Sequence, residues 1–346
     1  MFINKNFTAK GLWRFSGHHL IWISLWTCIV TFGIEYLHSI NIYAIQVPML
    51  PLTIIGTAVA FYVGFKNNSA YDRLWEARKI WGAIVNSSRI WGSNVKSYVS
   101  DQFVSESQSN LEQIHKRLIY RHIAWIYTLR RQLLVPTTWE HINQNKMIQK
   151  HTKRLMKYMG KDLYLDEITE QELNKCILKE EMDKLLSFQN TATQIIDKQS
   201  EDLKLLRKKD LIDDFRHMEL QKVLNDFYVH QGKCERIKKF PLPRQYGNMS
   251  FLFVGIFIFL LPFGFVTAFH DLGEWGAWLS IPFSILVGWV YIMMELVGDY
   301  SENPFEGLGN DIPMLSLCRV IEIDLLEMLG EKKLPKPIEA KNGVLM

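Results

Sequence analysis

Residues 51–99 read PLTIIGTAVAFYVGFKNNSAYDRLWEARKIWGAIVNSSRIWGSNVKSYV. The part from Pro51 to Phe65 carries no charge, and a charged, Trp-rich stretch follows it directly. No proline interrupts the run after Pro51, and proline is tolerated in the first turn of a helix. One uninterrupted helix over 51–99 is roughly 70 Å long, more than twice the ~30 Å hydrocarbon core of a bilayer. Such a helix begins as a membrane span and continues as a cytosolic rod. Rigid coupling of that kind is unusual for an enzyme anchor and natural for a protein that forms a pore.

The rest of the 346-residue chain fits around this helix. Apolar residues concentrate in two blocks, 20–65 and 247–298, separated by a strongly charged stretch of helical pattern. Four spans are predicted: Leu20–Leu37, the start of the long helix, Phe251–Phe269 and Trp275–Val297. No Lys or Arg occurs between Arg14 and Lys66, or between Arg244 and Arg319. By the positive-inside rule, both termini and the middle block face the cytoplasm, and the connections 38–50 and 270–274 face outward. The N-terminal apolar run lacks a cleavage site and reads as a retained first span.

A net charge of +4 is too small to suggest nucleic acid. The four cysteines, Cys28, Cys176, Cys234 and Cys318, form no CxxC motif or disulfide framework. Within the middle block, 107–135 is predicted as an amphipathic helix ended by Pro136, and 140–164 as a loop or short helix. Two further helices are predicted over Glu167–Gln189 and Thr191–Val229. PLPRQYGN at 241–248 reads as a turn at the membrane surface, and SENPFEGLGNDIP at 301–313 as an irregular loop. A last amphipathic helix is predicted to end at Gly330, followed by a loose tail over 331–346.

Three constellations stand out. Thr57, Phe61 and Phe65 recur every four residues on one face of the second span, among the small residues Gly56, Ala58, Ala60 and Gly64. That stripe reads either as a packed helix–helix seam or as the lining of a pore shared by several subunits, with stacked rings gating by dewetting. Tyr71, Arg73, Trp75, Glu76 and Arg78 crowd the point where the helix leaves the bilayer, where aromatic and basic residues anchor a helix. After the fourth span, Glu302, Asn303, Pro304, Phe305 and Asp311 belong to a loop rich in acids, along with Glu306. Glu295 and Asp299 precede it and are expected to pair with Arg73 or Arg78. The loop lacks the D-x-D-x-D spacing of a calcium site. His230 and Cys234 form an i,i+4 pair with no second pair to complete a zinc site. No nucleophile elbow, HExxH, P-loop or GxGxxG is present, so no catalytic residue, metal or cofactor is expected.

AFYVGFKNNSAYDRLWEARKIWG after the second span, CERIKKFPLPRQY before the third, and ENPFEGLGNDIP followed by IEIDLLEMLG after the fourth resemble the bestrophins. Three separated motifs in order, with the four-span layout, extend the resemblance over nearly the whole chain. The resemblance implies a pentameric ion channel with a hydrophobic neck, which falls here on Thr57, Phe61 and Phe65. It also implies a second, cytosolic constriction at a helix start, best matched by FQNTATQII with Ala192 or Ile195. The acidic run that holds calcium in animal members reads EGLGND here, so calcium activation is not carried over. Anion conduction, chloride in animal members, is the family expectation, with cations left open.

The expected fold is thus all-α: a multi-pass membrane protein with four transmembrane helices per subunit and a large helical cytosolic region, in a bestrophin-like pentamer. The expected divisions are 1–65, the cytosolic helical region 66–246, transmembrane helices over 247–299, and a cytosolic loop, helix and tail over 300–346. Its expected partners are monovalent ions, the lipid bilayer of a bacterial inner membrane, and further copies of itself. Two rival readings are a scaffold whose cytosolic helices recruit a partner, and a metalloenzyme using the acids from Asp299 to Asp311.

Overall fold

A computed structural model describes residues 1–6, 8–42, 47–102, 104, 110–159, 167–270, 272–273 and 275–346. Among these residues the chain is helical, with isolated bridges and no strand. The helices are α1 (Ala9–Ser39), α2 (Met49–Tyr98), α3 (Leu111–Leu133), α4 (Lys146–Met159), α5 (Glu167–Cys176) and α6 (Lys179–Leu186). They continue with α7 (Thr191–Lys208), α8 (Asp214–Lys239), α9 (Arg244–His270), α10 (Gly276–Asp299) and α11 (Met314–Leu329). The long second helix is present without a break. Helices α1, α2, α9 and α10 are each long and apolar enough to cross a membrane. The expected outward connections 38–50 and 270–274 lie partly outside the described residues.

The chain divides into two compact units, one of residues 4–73 and 241–303, the other of residues 1–3, 74–240 and 304–346. In the first, apolar unit, α9 packs along α10, and α1 packs on both. The seam of α10 is made of small residues, Ala277, Ser280, Ser284 and Gly288, all buried. Small residues let helix backbones approach closely where lipid offers no hydrophobic drive for association. A Cβ on Gly288 would come within 3.3 Å of the Ile23 Cγ2 on α1. Polar contacts tie α1 to α10: Trp289 Nε1 donates to Ser16 Oγ at 3.0 Å, and the Thr31 and Ser280 hydroxyls lie 3.4 Å apart.

In the second, charged unit α3 is the hub, packed by α5, α7, α8 and α11. From Arg121 to Arg130 every residue of α3 is buried. The sequence suggests a one-sided amphipathic helix there, because its charges look like a solvent face. They are buried with partners instead: Arg121 binds Asp202 and, at 2.7 Å, Glu181, while Arg130 donates to Thr169 at 2.8 Å. A buried charge is tolerated only when paired. Trp125 packs against Phe227, the rings tilted by 39° with centroids 4.8 Å apart, and donates from Nε1 to Gln231 at 3.0 Å.

Several local expectations change. The helix predicted over Thr191–Val229 is two helices, α7 and α8. Asp210 adopts φ +54 between them, and Asp213 caps α8 by accepting from the Arg216 amide at 2.8 Å. The break escapes notice because it contains neither proline nor glycine. Aspartate tolerates the left-handed region and caps well. The helix predicted over Glu167–Gln189 is likewise split into α5 and α6. The segment 140–164 holds a 3₁₀ turn, His141–Asn143, and α4, with residues 160–164 outside the described set. The tail over 331–346 is not loose: Leu345 N donates to the Met1 carbonyl at 2.8 Å, and Val344 is fully buried. Gly330 ends α11 in the left-handed region at φ +79, as its position requires.

One buried carboxyl pair gives the charged unit a pH signature. Arg319 reaches Glu172 and Glu322, each at 3.2 Å, and the Tyr127 hydroxyl donates to Glu322 at 2.8 Å. A cavity of about 240 Å³ bordered by Glu172, Glu322 and Tyr120 gives protons a route to the pair. Burial pushes Glu322 up to about 7, with Glu172 adding to the rise. For Glu172 burial acts upward too, but the Lys175 hydrogen bond and Arg319 outweigh it and hold it below the ordinary carboxylate range. Between pH 4.5 and about 7 the folded chain therefore holds a proton on Glu322 that the unfolded chain has lost. Stability should fall as pH rises through that window, by at most ~1.4 kcal/mol per unit. The Glu172 contribution has the opposite sign and lies below the window. Thermal unfolding followed from pH 5 to 8 should show this slope, and Glu322→Gln should flatten it. An unchanged slope in Glu322→Gln would remove Glu322 as its source.

Candidate functional site

Within the apolar unit, α2 has two contrasting faces. Leu52, Gly56, Val59, Val63, Lys66 and Ala70 are buried, spaced alternately by four and three. This is the spacing of a seam against neighbouring helices. A Cβ on Gly56 would meet the Phe257 ring at 2.8 Å, and the Tyr291 hydroxyl donates to the Gly56 carbonyl at 3.0 Å. The opposite face carries Thr57, Phe61 and Phe65, all exposed. Phe61 is 69% and Phe65 55% exposed, and their rings meet edge to face with centroids 4.6 Å apart. The seam and the stripe are therefore different faces of the same helix. Of the small residues around the stripe, Gly56 belongs to the seam, whereas Ala58 and Gly64 lie on the exposed side.

The exposed face offers little polarity. The Thr57 hydroxyl donates to the Thr53 carbonyl at 2.9 Å, and the Thr53 hydroxyl to the Met49 carbonyl at 2.9 Å. Both return their hydrogen to the helix that carries them, a common arrangement for threonine in helices. What remains is a ladder of aromatic rings and methyl groups on a span of a bilayer-crossing length. Repeated around an axis by several copies, such a ladder makes a narrow, poorly wetted constriction.

Just past Phe65, on the buried side, Lys66 forms an ion pair with Glu295 of α10, and Ser250 of α9 donates to the same carboxylate at 2.8 Å. Lys66 and Glu295 are 1% and 3% exposed. Asn67 adds a bond from Nδ2 to the Met294 carbonyl at 2.8 Å. The sequence expects Glu295 to pair with Arg73 or Arg78; Lys66 takes that place because it lies on the seam that faces α10. Arg73 instead sits in the field of Glu302, beside Arg244, which reaches Glu302 at 3.5 Å. Glu76 pairs along its own helix with Lys79 at 2.8 Å, and Tyr71, Trp75 and Arg78 are exposed.

Ala192 and Ile195, the candidates for a cytosolic constriction, have no exposed surface and belong to the core of the charged unit. The large apolar side chains that do present surface before α7 are Leu186 and Phe188.

In the loop after α10, the carboxylates serve the backbone. Asp311 accepts from the amides of Phe305 at 2.9 Å and Ile312 at 2.7 Å through one oxygen, and from Gly307 at 2.6 Å through the other. Glu306 accepts from the His141 amide at 2.8 Å and faces its ring Nδ1 at 2.9 Å. Phe305 holds φ +72 with its ring fully buried, and Lys238 donates to its carbonyl at 3.3 Å while pairing with Glu140. The acids that look like cation ligands in the sequence are thus the fasteners of an irregular loop. Among the described residues, no group of three His, Cys, Asp or Glu side chains is placed to hold a metal.

Comparison with known proteins agrees with the layout. The model of a bacterial and fungal bestrophin family matches residues 12–327. A voltage-dependent anion channel-forming protein of Escherichia coli (strain K12), YneE, is 28% identical over 295 residues, covering 85% of this chain and 81% of that protein. A voltage-dependent anion channel-forming protein of Nostoc is 26% identical over 302 residues, covering 85% and 82%. Among solved structures, a bacterial bestrophin homologue from Klebsiella pneumoniae superposes with a TM-score of 0.71 at 20% identity, covering 91% of this chain and 98% of that one.

Proposed function

The chain belongs to the bacterial and fungal bestrophin family, and from that premise we propose that it is a passive channel for small monovalent ions, anions first, in a bacterial inner membrane. It is a channel-family membrane protein and not an enzyme. Copies of the chain, five by the family resemblance, surround one pore with the exposed face of α2 turned inward. Phe61 and Phe65 form the hydrophobic neck, with Thr57 as the third ring. The termini and the charged unit lie on the cytoplasmic side, with Tyr71, Arg73, Trp75, Glu76 and Arg78 at the membrane face.

One observation carries this reading. The aromatic ladder of α2 is left exposed by its own protomer, although the opposite face of the same helix is fully packed. An apolar face left uncovered on a bilayer-crossing helix meets lipid, a neighbouring copy or a lumen. On a family of channel-forming relatives, that surface faces a lumen or a neighbouring copy. The anion preference rests on the printed names of those relatives.

The test is ion flux from liposomes containing the purified chain, with chloride and potassium gradients imposed separately. Chloride-driven flux is the expected result. Flux driven only by potassium would keep the pore and overturn the anion preference. Absence of both, with the protein correctly inserted, would favour the scaffold reading.

A further inference from the structure

We propose that Lys66 is a positioning residue for the neck: its ion pair with Glu295 fixes the rotational phase of α2. The inference rests on the reading of Phe61 and Phe65 as pore-facing. Successive residues of a helix are about 100° apart, so Lys66 points roughly 100° away from Phe65 and ~140° away from Phe61. Whatever holds Lys66 on the inner side therefore holds both rings on the outer side.

The seam of α2 is otherwise a poor phase lock. It consists of Leu52, Gly56, Val59, Val63 and Ala70, small or aliphatic residues against a mixed aliphatic and aromatic surface that includes Phe257 and Tyr291. Those contacts are van der Waals packing without charge, and in a membrane the competing lipid is as apolar as the seam. Lys66 occupies a slot where the same spacing elsewhere places an apolar residue. Its ammonium meets Glu295, which also stands on the buried stripe of α10, and Ser250 of α9 shares that carboxylate. One lysine thereby ties the neck helix to two other helices at a defined angle. Asn67 and Tyr291 bond to backbone carbonyls, of Met294 and Gly56. The Lys66 pair is buried at 1% and 3% exposure, so rotating α2 would strand two charges away from water. That is the property a seam of methyl groups lacks.

The pair also lies within one residue of Phe65, where a change of phase acts on the neck most directly. A role in overall stability alone would make no demand on which way position 61 faces. Accessibility at position 61 therefore separates positioning from simple structural support.

The experiment uses the full chain with Phe61→Cys in liposomes, treated with a membrane-impermeant, water-soluble thiol reagent. Labelling at position 61 is resolved from the native cysteines by peptide mass spectrometry. It is compared in the parent, in Lys66→Met/Glu295→Gln, and in the reversed pair Lys66→Glu/Glu295→Lys. The neutral double variant buries no unpaired charge, so it is expected to assemble. Labelling at position 61 is expected to fall at least threefold in the neutral pair and to return to the parent rate in the reversed pair. Equal labelling in all three would overturn the proposal. If the neutral pair does not assemble, Lys66→Gln/Glu295→Gln takes its place and is read in the same way: a fall in labelling supports the phase lock, and parent-like labelling overturns it. Phe65→Ala flux, measured in parallel, keeps the two readings apart. Unchanged Phe65→Ala flux defeats the neck, whereas altered flux with phase-independent labelling defeats only the role of Lys66.

Discussion

Replacing Phe65 by alanine should raise ion flux through the reconstituted protein by roughly tenfold, which corresponds to a barrier lowered by ~1.4 kcal/mol. The expectation follows from where the side chain sits. Phe65 is 55% exposed in its protomer, and its ring is stacked edge to face on Phe61. A truncated core phenylalanine leaves a cavity costing about 3–5 kcal/mol, but an exposed ring leaves none, so the fold should survive. On the proposed reading the effect is multiplied, because each copy would contribute its own ring to the same constriction. Removing a ring of aromatic side chains admits water to a segment that otherwise dewets, and ions follow the water. Phe61→Ala should act in the same direction, and the double variant should exceed either. Flux at matched protein per liposome, with thermal unfolding of the same samples, checks both halves of the expectation. Flux equal to the parent in the double variant would remove the stripe from the conduction path.

The second large effect is expected at Asp311, and it is structural. Asp311→Asn should destabilise the loop 304–311 by about 3 kcal/mol, seen as a lowered thermal transition. The aspartate accepts three buried backbone amides through two oxygens. Asparagine keeps one oxygen and turns an N–H toward the Gly307 amide, so a donor faces a donor. An unsatisfied buried amide costs ~1–3 kcal/mol, and charge-assisted bonds are stronger than the neutral ones that replace them. Phe305, held in the left-handed region at φ +72, loses one of the bonds that keep it there. Added calcium or EDTA should leave the transition of the parent protein unmoved, because the Asp311 oxygens are already engaged. A calcium-dependent rise that vanishes in Asp311→Asn would show that the loop is a metal site after all.

Much of this protein is legible in one dimension. The uncharged start of α2, the lysine- and arginine-free intervals on either side of the middle block, and the four-residue spacing of Thr57, Phe61 and Phe65 are local or compositional properties. They respond to bilayer thickness and helical pitch, which do not depend on the rest of the chain. The all-helical fold, the four spans and the stripe on α2 follow from them. The break at Asp210 was hidden for the converse reason: one aspartate in the left-handed region and another as a cap end a helix without any proline or glycine to announce it.

What the sequence could not decide was the partner of each charge and the inner or outer sense of each face. Lys66 and Glu295 are 229 residues apart, and Arg121 and Asp202 are 81 apart. Neither pairing has a local signature, because any buried charge takes whichever opposite charge the packing brings to it. The same holds for Ala192 and Ile195, which look available on a helix start and are enclosed by their own unit. Helical periodicity tells which residues share a face. Only the packing of distant helices tells which face is covered, and for α2 that left Phe61 and Phe65 on the open side.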